Sequence, residues 1–171
     1  MAVLDLTTVL ERPTVAVAVL NGLTCVESVE LVRRVPDRVV LRLTVLPDDP
    51  TLIAEGYPVE EVQVVVHRSG KVRAIPKSGL GRAWLHRNSW LGVGLDLCLW
   101  DPNDPEALRW SWEDGLEEYL RIVARHLVYE EYHRRHGEWP VEDAPHGISP
   151  TGSWPIRTGG MKRAARRWRR G

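Results

Sequence analysis

The chain has 171 residues, 23 basic and 23 acidic side chains, 43% hydrophobic residues and only two cysteines. That length suits one domain with a tail and an ordinary core without disulfides. Two thiols outside any CxxC pair argue against a zinc ribbon, and no apolar run nears the roughly 20 residues that span a bilayer.

The N-terminus, MAVLDLTTVLERP, carries no basic leader ahead of an apolar core. The expectation is therefore a cytoplasmic protein whose Cys25 and Cys98 stay reduced. The zero net charge is unevenly spread. From Ala144 onward there is no acidic residue and there are seven basic ones, which leaves 16 basic against 23 acidic residues in positions 1–143, a net −7. An acidic body (1–154) with a basic tail (155–171) points to a tail that docks on the body, on an acidic partner or on nucleic acid. Nucleic acid is the weaker option, because an acidic body repels a phosphate backbone.

In chain order, residues 1–12 predict a short helix stopped by Pro13. Val15 to Leu20 reads as a strand or buried connection ended by Asn21-Gly22. Thr24 to Arg34 reads as a strand, and Val35-Pro36-Asp37-Arg38 as a turn. Val39 to Leu46 forms a second strand, with Val39, Leu41, Leu43 and Val45 on one face and Arg42 and Thr44 on the other. The Pro-rich segment PDDPTLIAEGYP is read as loop. Val62, Val64 and Val66 make a third strand, and Ser69-Gly70 turns it into a fourth, Lys71 to Ile75. No helix-length crossover separates the four, so they predict an antiparallel meander.

From Pro76 to Asn103 the rhythm breaks. Period 3.6 returns at Ser111, where Leu116, Tyr119, Leu120, Val123 and Leu127 fall on one stripe. Ser111 with Asp114 resembles a capping box, and Gly137 suits the C′ position, giving a helix of about 24 residues by that count. Its polar end, EEYHRRH, is expected to project into solvent. Glu138 to Trp154 is read as a surface segment, and TGGMKRAARRWRRG as mobile or ordered by a partner. The fold class is α+β: a four-stranded antiparallel meander with a long C-terminal helix packed on it.

The stretch Trp84 to Trp112 holds most of the candidate chemistry: His86, Arg87 and Asn88, then glycine-punctuated apolar residues, then Cys98. Two readings of Cys98 compete. Between Leu97, Leu99 and Trp100 it is a small buried hydrophobe, or it is a nucleophile. Asn88 is either an amide donor or a turn residue, and His86 either ties the loop or acts as a base. Asp101, Asp104 and Glu106 are a solvated loop face or groups that deprotonate an amine. His146 folds back to the site or sits on the surface. His133 and His136, even with His146 and Cys98, make no compact ligand set, so no metal is expected. There is no P-loop or GxGxxG, so no nucleotide cofactor is expected either.

The order of meander, loop with His…Asn…Cys, Trp and long helix resembles the ubiquitin-conjugating enzymes, and more closely their prokaryotic relatives. The matching residues are His86, Asn88, Cys98 between two leucines, Trp110 or Trp112, and Tyr57-Pro58 before the third strand. Arg87 stands where the family has proline, nine residues separate Asn88 from Cys98, and the usual N-terminal helix is short or missing. The resemblance covers roughly Cys25 to Trp139. It implies a ubiquitin-conjugating-enzyme-like fold and a thioester-forming transferase. Cys98 would accept the C-terminal glycine of a partner, either a cGAS-like nucleotidyltransferase or a ubiquitin-like protein, and pass it to an amine. Asn88 would steady the oxyanion. The implied setting is bacterial anti-phage defence, with or without a separate activating enzyme. Two other readings stay open: a non-catalytic binding module on the same fold, and a nucleic-acid-associated protein working through the tail.

Overall fold

The computed structural model describes residues 3–77, 96–100 and 109–140. Helix α1 (Leu6–Glu11) opens on Asp5, whose carboxylate accepts the Thr8 amide hydrogen at 2.7 Å. That bond satisfies one of the donors orphaned at a helix start. Helix α2 (Pro13–Leu20) follows at once, with Pro13 in its first turn. The VAVAVL run is thus helix, where its alternation predicts a strand or connection. Pro13, Ala16 and Leu20 are buried and lie on one helical face, while Val15 is exposed. The expected short N-terminal helix is α1, ending before Pro13, and α2 is a second helix where a strand or connection is expected.

The meander is present as a four-stranded sheet in the order β1 (Val26–Val35), β2 (Arg38–Val45), β3 (Glu60–His67), β4 (Val72–Pro76), every pairing antiparallel. The side chain of Asn21 accepts the Val29 amide hydrogen at 2.9 Å, tying the end of α2 to β1. Strand β1 is an edge, broken by irregularities between Val26 and Ser28 and between Leu31 and Arg33. Val39, Leu41, Leu43 and Val45 are at most 1% exposed and line the inner face with Val62, Val64 and Val66 at 0%. The alternation read from the sequence sets these faces.

Between β2 and β3 the expected loop contains helix α3 (Pro50–Ala54), capped by Asp49, which accepts from the Thr51 amide at 2.8 Å. Helix α4 (Gly115–His136) has 22 residues. Leu116, Tyr119, Leu120, Val123 and Leu127 join the same buried cluster as β2, β3 and the N-terminal helices. At its start Asp114, not Ser111, is the cap residue. The Asp114 carboxylate accepts the Ser111 amide hydrogen at 2.9 Å, so this pair closes a turn ahead of the helix. At its end Gly137 takes the left-handed conformation and donates to the His133 carbonyl at 2.8 Å.

The last turns of α4 do not simply project into solvent. Glu130 is 1% exposed. Arg135 donates to the carbonyls of Glu55 and Gly56 at 3.0 and 2.6 Å and lies over the Tyr57 ring at 4.3 Å. A long guanidinium stem can cover apolar surface while its fork satisfies backbone acceptors. No helix among the described residues is long and apolar enough to cross a membrane.

Candidate functional site

Strand β4 leads to the segment carrying the thiol. Leu97, 3% exposed, donates its amide hydrogen to the Ala74 carbonyl at 2.9 Å, so the residue before Cys98 is fastened to β4. Cys98 is only partly buried, and its Sγ donates to the Trp100 carbonyl with S···O 3.5 Å.

Trp100 then enters an aromatic cluster. It stacks on Trp110 at 6.4 Å between centroids and meets Tyr119 of α4 edge-on at 6.1 Å. Trp110 contacts Trp112 at 5.0 Å and Tyr119 at 5.1 Å. Such offset and edge-to-face pairs are favoured by ring quadrupoles. Both indoles also hold backbone: Trp110 Nε1 donates to the Gly115 carbonyl and Trp112 Nε1 to the Gly70 carbonyl, each at 2.8 Å. The thiol is thus bounded by a sheet contact on one side and an aromatic anchor on the other.

Burial pushes the Tyr119 phenol well above its usual value, and the Asp96 carboxylate adds to this, while the Ala74 amide pulls the other way. Tyr119 is therefore a neutral wall of the cluster. Cys25 is a different kind of thiol. It is 0% exposed, and burial, then the nearby Asp48 charge, push it up to about 12. A sulfur so placed is a core hydrophobe and not a nucleophile.

Of the sequence-selected residues, Cys98 with its Leu97, Leu99 and Trp100 neighbours, Trp110, Trp112, His133 and His136 fall in the described part. His86, Asn88, Asp101, Asp104, Glu106 and His146 lie outside the described residues, as do most of the irregular loop after β4, most of the surface segment after α4 and the basic tail. Among the described residues no group of three His, Cys, Asp or Glu side chains could hold a metal ion. His136 packs on the Tyr132 ring at 4.2 Å and His133 faces Trp139 at 6.1 Å, both aromatic contacts.

Sequence reasoning missed the buried polar groups of α4. His126 and Glu130 approach at 3.6 Å, and Arg134 reaches Glu130 at 3.7 Å. Their spacing of four residues was the available signal.

No family model matches the chain, and neither does any curated protein or solved structure.

Proposed function

We propose that the chain is a cysteine-dependent acyl transferase on a ubiquitin-conjugating-enzyme-like fold, with Cys98 as the acceptor. The donor is the C-terminal glycine of a protein partner, a cGAS-like nucleotidyltransferase or a ubiquitin-like protein, in a bacterial anti-phage setting. The observation that carries the reading is the contrast between two thiols: Cys25 sealed in the core, Cys98 partly exposed beside β4. The order of helices, meander, thiol segment and long helix supports it as well.

The partner arrives already activated, as a thioester on an activating enzyme or as an adenylate. The Cys98 thiolate attacks its carbonyl carbon, a C–S bond forms, and the bond to the leaving thiolate or adenylate breaks. An acceptor amine then attacks the new thioester. The C–N bond forms, the C–S bond breaks, and the sulfur leaves as thiolate. The proton lost by the amine passes to a nearby base, a role assigned to Asp101 or His146. Asn88 donates to the oxyanion, and His86 holds the loop.

The test is a non-reducing gel after incubation with an activated candidate partner. A thiol-labile adduct should form with the parent chain and with Cys25→Ala, and be absent with Cys98→Ala. Should the adduct persist in Cys98→Ala, the transferase reading is lost.

A second reading is favoured by one contact. Because the Cys98 thiol donates to the Trp100 carbonyl, the hydrogen bond holds the protonated, unreactive form,. In that reading the domain binds its partner without chemistry. The same gel then shows no adduct, and binding is indifferent to Cys98→Ala.

A further inference from the structure

The end of the sheet formed by the β1–β2 and β3–β4 turns is strongly basic although the body as a whole is acidic. Arg33 pairs opposite Val40, Val40 opposite Val65, and Val65 opposite Arg73. These four residues therefore form one line across the outer face. Its two arginines sit on the two edge strands, about 14 Å apart from three strand spacings. On the next rung Arg38 lies between Val35 and His67. Arg34, next to last in β1, pairs with Val39 and so belongs to the other face at this end, while Arg68 and Lys71 flank the β3–β4 turn.

All six cations are exposed, and among the described residues the only carboxylate between them is Asp37, so these seven side chains sum to +5. Asp37 is already engaged by Arg38 at 2.9 Å and by His67 at 3.5 Å. Further along the same face Arg42 is held by Glu30 at 3.0 Å and Glu61 at 3.7 Å, and there the basic surface stops. Like charges gathered at one end cost folding energy through repulsion, and they attract a complementary anion.

Two observations choose the anion. The patch is compact and bordered by Glu30 and Glu61, so a long phosphate backbone leaving it would run onto carboxylates. Between the arginines lie Val35 and Val65, half-buried, with Val40 7% exposed between them, and an apolar centre with a charged rim fits a protein surface,. We infer that this sheet end, built by Arg33, Arg34, Arg38, Arg68, Lys71 and Arg73, docks a carboxylate-rich segment of a protein partner. The arginine forks suit paired carboxylates. The acidic surface elsewhere on the body is screened within a Debye length of about 8 Å at physiological salt. This surface is separate from Cys98 and stands whether or not that thiol reacts.

The test uses the full chain with Arg166, Arg167, Arg169 and Arg170 changed to Gln, so that the tail does not compete. The probes are a fluorescent decapeptide of alternating Asp and Glu and a short fluorescent duplex DNA, followed by anisotropy at near-physiological salt. The peptide is expected to bind more tightly than the duplex. The pairs Arg33→Gln/Arg34→Gln and Arg68→Gln/Arg73→Gln should each weaken it roughly tenfold, as expected for two exposed ion pairs lost. If a pair also lowers the melting temperature, the turn substitution Lys71→Glu takes its place and should weaken binding too. Tighter binding of the duplex through the same arginines overturns the proposal, and so does peptide binding that ignores these substitutions or no peptide binding at all.

Discussion

Leu4 and Glu117 hold the start of the chain against the start of its last helix. The Leu4 amide hydrogen is shared by both Glu117 oxygens at 3.0 and 3.2 Å, and the Leu4 carbonyl accepts from the Leu116 amide at 3.1 Å. Both side chains are buried, Leu4 at 3% and Glu117 at 6% exposed. A carboxylate in the first turn also complements the positive end of the helix dipole. Glu117→Ala leaves a buried donor unsatisfied. It should destabilise the protein by about 1 to 3 kcal/mol, read as a shift in denaturant midpoint at unchanged slope.

Gly115, next to that contact, has φ +79, and a β-carbon there would run into the Val3 side chain and within 2.7 Å of Glu117 Oε2. Gly137 has φ +77, but an added β-carbon would meet nothing within 4 Å. Both glycines escape the left-handed penalty of about 1 to 2 kcal/mol for L-residues. Gly115→Ala adds overpacking of about 1 to 3 kcal/mol to it. Thermal melts should therefore rank Gly115→Ala clearly below Gly137→Ala, and equal melting temperatures would contradict the close approach of the N-terminus.

The two thiols should separate kinetically. With an aromatic disulfide reagent the native protein should release one equivalent in a fast phase that Cys98→Ala removes. The second equivalent, from Cys25, should appear only at the rate of unfolding, since a fully buried thiol needs opening to react. Equal rates for both would show that the aromatic anchor shields Cys98 as fully as the core shields Cys25.

Cys25 also predicts an alkaline loss of stability. Its value in the folded protein, about 12, lies above the ordinary 9.0, because the buried site disfavours thiolate. The folded state thus keeps a proton that the unfolded chain gives up as pH rises past 9.0. The stabilisation is complete below that pH and is lost as pH climbs toward the folded value, at up to about 1.4 kcal/mol per pH unit. Tyr119, whose value is raised for the same reason, adds to the loss at higher pH. Denaturant midpoints from about pH 8 to about pH 11 should fall, and Cys25→Ala should flatten the early part of that fall.

The sheet was legible because its central strands β2 and β3 each bury one face, so Val39, Leu41, Leu43 and Val45 alternate with Arg42 and Thr44 as the pleat demands,. Helix α2 was not, because its valines alternate like a strand while its buried residues, Pro13, Ala16 and Leu20, carry the helical spacing,. Helix α3 hid behind two prolines, though Asp49-Pro50 is a cap followed by a first-turn proline,. The polar end of α4 misled because composition says nothing of which carbonyls a long side chain reaches. Arg135 finds the acceptors of Glu55 and Gly56, 80 and 79 residues away in sequence. Of the site, the cysteine worth testing could be picked from sequence. Its distinction from Cys25 could not, since burial depends on which strands and helices close over each sulfur.

The fastening of Leu97 to Ala74 has a consequence for how this chain tolerates change. It ties the height of the neighbouring sulfur to strand registration. A one-residue deletion inside Val72–Pro76 turns successive side chains to opposite faces and carries the sulfur's anchor with them,.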